Sequence, residues 1–430
     1  MFVRKNSVLT ISPPFVIIIK ITFYGDIMIK FTAEIKKLLL TGNIGIEKES
    51  HRVDASGFLA KTPHPFPNNK IIKMDFAESQ IEIATKALQT PEKVYEELLS
   101  ATQTVKQKIS EKGEFLWVLS NPPLFENEQS IAVANFPEDY EETKFREYLG
   151  KKYGKKVMLY SGIHYNFSFS DELLQQLFET SARADFRQFK DELYLKIAKY
   201  SFLYSWILVY CTSASPVFHQ SFMPESKTDF VGYASMRNSP HGYKNHKNLC
   251  PNFSSTTKYV DSIREMIKVG ELKHECELYS PIRLKARRGH SLKEIEQNGI
   301  DFIELRMFDL NPFDSAGFAL CDIKFVQLLI VYIMSLNDFE FTTDICQDSY
   351  NKIVESALLD TPNYIISQAD EILNNMIDFF EKLNFLDSEE TIKAIKTRVN
   401  NPKTRYANKL YEMHKQNDYT NLGLKLCPPV

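Results

Sequence analysis

Three segments of this chain alternate apolar residues with carboxylates, and that alternation limits the possible folds more than any other feature. In "GNIGIEKESHRVD", Ile44, Ile46 and Lys48 have one strand parity and Glu47 and Glu49 the other. Successive side chains of a strand point to opposite faces, so Glu47 and Glu49 would share a face, roughly 7 Å apart. In "MDFAESQIEIAT", Ile81 and Ile83 oppose Glu82. Glu78 lies four residues before Glu82, a spacing that shares a face in a strand or a helix, and Asp75 precedes both. In "FIELRMFDLNPF", Glu304 and Arg306 oppose Ile303, Leu305 and Met307. Each strand must bury one face and compensate the charge on the other.

The order of elements then selects the class. Residues 31–40 read as a helix, 43–53 as a strand, and Ala55-Ser56-Gly57 as a turn into a second strand from Phe58 through "KTPHP", a hairpin signal. Residues 92–111 read as a helix, "KKVMLYSGIHYNFSF" as a strand, and 185–210 as one long helix. The stretch 216–260 reads as loop, strands return at "CELYSPIRLKA" and "IDFIELRMFDLNPF", and from about Asp322 the pattern is helical. With no regular strand–helix–strand alternation, the expectation is α+β with an antiparallel sheet. No linker divides the chain, so 28–430 reads as one catalytic domain with a helical C-terminal portion.

Composition narrows the function. The 430 residues carry 52 basic and 55 acidic side chains, a net charge of −3, with no global pull toward nucleic acid or an anionic membrane. The six cysteines (Cys211, Cys250, Cys276, Cys321, Cys346, Cys427) show no CxxC spacing, which argues against zinc and against a disulfide framework; they read as free thiols in a reducing cytoplasm. "FVIIIKITF" is interrupted by Lys20 and too short to span a membrane. Met28 resembles a natural start, so residues 1–27 are expected to be an upstream extension without function.

Neither GxxxxGK[ST] nor a GxGxxG after a strand is present, so any nucleotide is held by neither of those phosphate cradles. GxSxG and HExxH are absent too. One acidic strand alone reads as a solvated face; three gathered on one sheet read as hard oxygen ligands suited to Mg²⁺. Arg237, Arg283 and Arg306 then suit phosphate or carboxylate. His164 and Asn166 share a face of "SGIHYNFSF" and would orient a polar substrate, with Tyr243 and Tyr279 as further wall.

The segments "GIEKESHRVDASGFLAKTPHP", "DFAESQIEIAT", "SGIHYNFSF", "SASP", "ELYSPIR" and "GIDFIELRMFDLNPF" resemble, in order, the bacterial glutamate–cysteine ligase family, over about Asn43 to Phe313. The resemblance implies a glutamine synthetase-like fold, an antiparallel sheet curved into a funnel with helices outside. It implies ATP-dependent ligation of glutamate to cysteine through γ-glutamyl phosphate, the first step of glutathione biosynthesis. It assigns Glu47, Glu49, Asp75, Glu82 and Glu304 to Mg²⁺ (Mn²⁺ being an alternative), with Glu78 beside them. Arg306 would meet the transferred phosphoryl, with Glu304 as its catalytic companion. His164, Asn166, Arg237, Tyr243 and Tyr279 would line the amino-acid pocket, Arg237 facing the cysteine carboxylate, and Phe76 and Leu149 would wall the thiol. The implied partners are L-glutamate, L-cysteine and ATP, with no nucleic acid, membrane or obligate protein partner.

Two spellings depart from the family. Met158 stands where glutamine is common, and "CTSASP" replaces "FGASP". The spelling is closer to the ligase half of bifunctional Gram-positive enzymes, and with the chain ending at Val430 the expected product is γ-glutamylcysteine. The alternatives are a related carboxylate–amine ligase with another acceptor, motivated by Met158, and a non-catalytic amino-acid-binding relative.

Overall fold

The strand that begins with the glutamate pair, β1 (Gly42–Val53), lies inside a sheet and carries neighbours on both edges. The computed structural model describes residues 31–67, 69–287 and 291–427, and the expected extension at 1–27 lies outside them. The other strands are β2 (Ile72–Met74), β3 (Gln80–Ala84), β4 (Phe115–Leu116), β5 (Ile163–Phe169), β6 (Ile282–Lys285) and β7 (Phe302–Phe308). Their order is β2-β3-β1-β5-β7-β6, with β4 paired to the end of β1, and every strand pairing is antiparallel. The expected α+β class with an antiparallel sheet is what forms.

Register explains the two faces. Ile46 pairs with Tyr165 and Lys48 with Ile83, whereas Glu47 pairs with His164 and Glu49 with Glu82. Asn166 pairs with Glu304, which also pairs with Arg283. One face therefore collects Ile44, Ile46, Ile81, Ile83, Tyr165, Phe167, Ile303 and Leu305, all fully buried. The other collects carboxylates and bases. Lys48 stands on the apolar face and is buried there, its Nζ donating to Thr102 Oγ1 at 3.0 Å. Burial pushes its pKa down to about 7.

Fourteen α-helices are described: α1 (Ala33–Leu38), α2 (Pro91–Ser110), α3 (Tyr140–Tyr153), α4 (Asp171–Glu179), α5 (Phe186–Leu203), α6 (Ser205–Thr212), α7 (Thr256–Lys268), α8 (Leu292–Asn298), α9 (Leu320–Ser335), α10 (Thr343–Ser356), α11 (Asn363–Lys382), α12 (Leu386–Asn400), α13 (Tyr406–His414) and α14 (Tyr419–Leu426). Helix α2 starts where Thr90 accepts from Lys93 N with Pro91 in the first turn, a standard N-terminal arrangement. Its buried stripe of Val94, Leu98, Val105 and Ile109 packs on β1 and β4. Helix α9 is almost wholly apolar beyond its first turns because α2, α5, α11 and α12 surround it, and its buried Asp322 is paired with Arg398. No helix among the described residues is long and apolar enough to cross a membrane.

Four expectations are corrected. The strand expected from Phe58 does not form: Phe58 and Leu59 make single bridges to Leu124 and Val53, Asp54 Oδ1 caps the turn, and Pro63, Pro65 and Pro67 withhold the N–H groups a ladder needs. The strand expected over "KKVMLYSGIHYNFSF" is confined to Ile163–Phe169, with a 3₁₀ turn at Val157–Leu159. The helix expected over 185–210 is two helices that meet at Tyr204. Cys250 and Cys346 are joined in a disulfide, leaving Cys211, Cys276, Cys321 and Cys427 as thiols. A separation of 96 residues hides this pairing from any spacing rule.

Candidate active site

The polar face of the sheet floors a cavity of about 750 Å³, with α3 along one side. Glu47 is held on both oxygens: Asn166 Nδ2 donates to Oε1 at 3.0 Å and His164 Nδ1 lies 3.0 Å from Oε2. His164 Nδ1 is also 3.7 Å from Glu304 Oε1, and its Nε2 is 3.7 Å from Glu49 Oε1. Arg306 Nη1 donates to Glu304 Oε1 at 2.6 Å, and Lys285 Nζ lies 3.5 Å from Glu304 Oε2. Glu49 accepts from Gly162 N at 2.9 Å. Asp75, Glu82, Phe76 and Leu149 line the same space.

The charges divide into two groups. Burial pushes Glu304 toward neutrality, but Arg306, Lys285 and Arg283 outweigh it and hold the carboxyl well below the usual range. Glu47 is also lowered, burial being outweighed by the His164 hydrogen bond. Glu49 and Glu82 go the other way. Burial first, then repulsion (from Asp75 at Glu49, from Glu47 and Asp75 at Glu82), raises each to about 8. His164 is lowered by burial and Arg306, which favours the neutral imidazole.

The donor set fits a hard divalent cation. One ligand atom each from Glu47, His164 and Glu304 lie within 4.8 Å of one another. His164 Nε2 is buried without a hydrogen-bond partner, and buried Glu304 Oε2 has only the Lys285 ammonium at 3.5 Å; a buried acceptor left short of hydrogen bonds is costly unless something else meets it. Glu47 on β1 and Glu304 on β7 flank His164 on the β5 strand between them, and such carboxylate oxygens are the ligand type Mg²⁺ takes.

Glu78 does not join them. The segment between Asp75 and Ser79 is a turn rather than strand or helix, so the four-residue spacing loses its meaning. Its Oε1 accepts from His64 N at 2.9 Å, and it is not among the residues that line the cavity.

Arg237 lies next door. It lines a second cavity of about 520 Å³ whose walls also include Tyr243, Tyr279 and Arg306, so these three side chains border both spaces. The two tyrosine rings are 4.1 Å apart between centroids. Arg237 is buried, with Nη1 donating to Arg306 O at 2.7 Å and Phe308 O at 3.3 Å. The loop that carries it is stitched to the end of β7. Asp309 accepts from Ala214 N at 2.9 Å, Ser215 Oγ at 2.7 Å and Ser235 Oγ at 3.0 Å, which gives "SASP" its local purpose. Gly162 is required beside it, since a Cβ there would sit 2.4 Å from Arg237 Cζ.

Some lining residues escape the sequence reading. Lys285 follows Arg283 by two and shares its face, so strand parity offered a signal. Arg146 of α3 offered none. Its Nη1 is 2.7 Å from Glu142 and its Nη2 3.7 Å from Asp75 Oδ1. Met158 is buried at the cavity edge with Phe76, Leu149 and Tyr160.

A family profile for glutamate-cysteine ligase matches residues 29–274 and 268–354. The chain is 34% identical over 419 residues to the glutathione biosynthesis bifunctional protein GshAB of Clostridium perfringens, covering 90% of this chain and 54% of that protein. The corresponding Listeria monocytogenes protein is 34% identical over 421 residues, covering 91% and 54%. The chain thus spans about half the length of the curated relatives it matches. Among solved structures, a bifunctional glutathione synthetase from Pasteurella multocida superposes with a TM-score of 0.84 at 30% identity, covering 92% of this chain and 53% of that one. A glutamate–cysteine ligase from Francisella tularensis shares the fold, with a TM-score of 0.79 at 21% identity over 90% of this chain and 87% of that one. With the profile covering well over half of its residues, the chain belongs to the glutamate-cysteine ligase family.

Proposed function

We propose that this chain joins the γ-carboxylate of L-glutamate to the amine of L-cysteine at the expense of ATP, the first step of glutathione biosynthesis. The observation that carries the reading is the cluster of Glu47, His164 and Glu304 with Arg306 against it, on one face of one sheet. The sheet is read as the funnel of a glutamine synthetase-like fold, and residues 28–430 as one catalytic domain. One apolar cluster running from Ile35 to Val399 supports that unity.

A carboxylate resists attack by an amine, so it must first acquire a leaving group. The γ-carboxylate takes the γ-phosphoryl of ATP, and the amine then displaces phosphate from the acyl phosphate. Glu47, Glu49, Asp75, Glu82 and Glu304 would hold Mg²⁺, which neutralises phosphate charge as the phosphoryl moves. Arg306, fixed by Glu304, presents a guanidinium to the transferred group. His164, kept neutral, and Asn166 fix the direction in which Glu47 faces. Arg237 meets the acceptor's carboxylate, while Phe76 and Leu149 exclude water from its side chain.

The test is a product assay with ATP, Mg²⁺, glutamate and cysteine. ADP release together with the mass of γ-glutamylcysteine is expected; no ADP release above that without cysteine rejects the reading. Met158 favours a second reading, another amine acceptor, because it adds apolar surface where a polar contact is common in the family. Turnover with alanine or 2-aminobutyrate equal to that with cysteine would select it.

A further inference from the structure

The second cavity is larger than the task so far given to it. At about 520 Å³ it far exceeds the room a single carboxylate needs, and it continues past Arg237 toward Lys244 and Asn351. Its charged lining is Arg237, Arg306 and Lys244 against Glu355 alone. The larger cavity is crowded with carboxylates. An anion that carries no metal is therefore drawn to the second cavity. Arg237 is also incompletely used: its Nη1 is spent on two backbone carbonyls and its Nε is packed against Gly162, whereas Nη2 makes no hydrogen bond among the described residues. A guanidinium N–H without an acceptor favours a ligand carbonyl or carboxylate.

Building on the ligase reading above, we propose that the acceptor site also takes a dipeptide that begins with cysteine and ends in a small residue, such as cysteinylglycine. One further residue extends the acceptor by roughly 3.3–3.6 Å. Its free amine and thiol stay where those of cysteine would be, the peptide carbonyl faces Arg237, and the terminal carboxylate moves outward toward Lys244. The chemistry is unchanged. The dipeptide's amine attacks the carbonyl carbon of γ-glutamyl phosphate, a C–N bond forms and the C–O bond to phosphate breaks. Inorganic phosphate leaves with the electron pair, and the amine loses a proton to solvent. The product is a γ-glutamyl tripeptide made in a single ligation.

Steady-state ADP release and product mass would be measured with glutamate, Mg²⁺–ATP and either cysteine or cysteinylglycine. The expected result is tripeptide formation with kcat/KM within about tenfold of that for cysteine. In K244E the ratio of dipeptide to cysteine kcat/KM should fall by about tenfold or more, because the terminal carboxylate then meets a like charge. Cysteine turnover without dipeptide turnover overturns the proposal, and so does a dipeptide that inhibits without forming product. A ratio unchanged in K244E overturns the placement. If neither acceptor is turned over, the ligase reading itself has failed.

Discussion

Gly162→Ala tests the acceptor site at one atom. Gly162 passes so close to Arg237 that an added Cβ would lie 2.4 Å from Cζ, 2.5 Å from Nε and 2.6 Å from Nη2. Ordinary contact begins near 3.4 Å, so the guanidinium must withdraw by about 1 Å. It cannot do so and keep its 2.7 Å hydrogen bond to Arg306 O. The same withdrawal takes the guanidinium off the acceptor carboxylate proposed to meet it, a charged hydrogen bond of about 1.5–3 kcal/mol, so acceptor affinity should weaken by roughly 10- to 150-fold. The effect should be selective. Gly162 N still reaches Glu49, because a backbone donor survives the substitution. The KM for cysteine should therefore rise by that factor, with kcat and the KM for ATP changed by less than about threefold. The assay is steady-state kinetics with each substrate varied in turn, beside a thermal melt that confirms folding. Arg237→Lys, which keeps the charge without adding bulk at Gly162, should raise the same KM. An unchanged cysteine KM in both variants would remove Arg237 from the acceptor site.

Glu47→Gln should lower Mg²⁺-dependent turnover by at least about a hundredfold while the fold persists, and a wild-type rate would refute the metal assignment. Glu49 and Glu82, raised to about 8, make stability depend on pH. Their folded pKa lies above the unfolded value, so the folded chain holds protons that the unfolded chain has lost. Metal-free stability should then decline as pH rises from about 5 to 8, and Mg²⁺ affinity should increase over the same window. Melts and titrations at pH 6, 7 and 8 check this, and flat profiles in both would contradict it. Cys346→Ser should cost about 2–5 kcal/mol in urea unfolding. The parent protein, denatured without reductant, should titrate four thiols, whereas six would mean the cysteines are all free.

Strand parity was enough to gather Glu47, Glu49, Glu82 and Glu304, because a period of two survives whatever the strand pairs with. It did not give register, which decides that Glu49 faces Glu82 and that Glu47 faces His164. Parity failed at Glu78, where the chain turns, and along "KKVMLY", where β-forming residues pack into the cluster beneath Phe76 instead of a ladder. Arg146 was invisible because a basic residue on a helix face is ordinarily solvated. The division into two cavities was also beyond reach, since Arg237, Tyr243 and Tyr279 come from a loop and a strand entry that meet only in three dimensions. The resemblance named the same residues but could not show that Arg237 stands outside the acidic space.

That division bears on how the bare site tolerates its own charge. The five carboxylates proposed as ligands, among eight that line the cavity, repel strongly in a buried setting. The chain resolves this by treating them unequally. Glu47 and Glu304 stay ionised because His164, Asn166, Arg306 and Lys285 already surround them. Glu49 and Glu82, directly opposite each other across β1 and β3, have fewer such partners and retain protons to a higher pH. A cation entering the site has two routes to new ligands. Displacing protons at Glu49 and Glu82 costs little near neutral pH, whereas separating Glu304 from Arg306 would strand a buried guanidinium. The first route also leaves Arg306 in place for the phosphoryl group it is proposed to meet. On the proposed metal assignment, the ion pair between Glu304 and Arg306 would be part of the assembled site, and the protonated pair would be the part that cation binding changes.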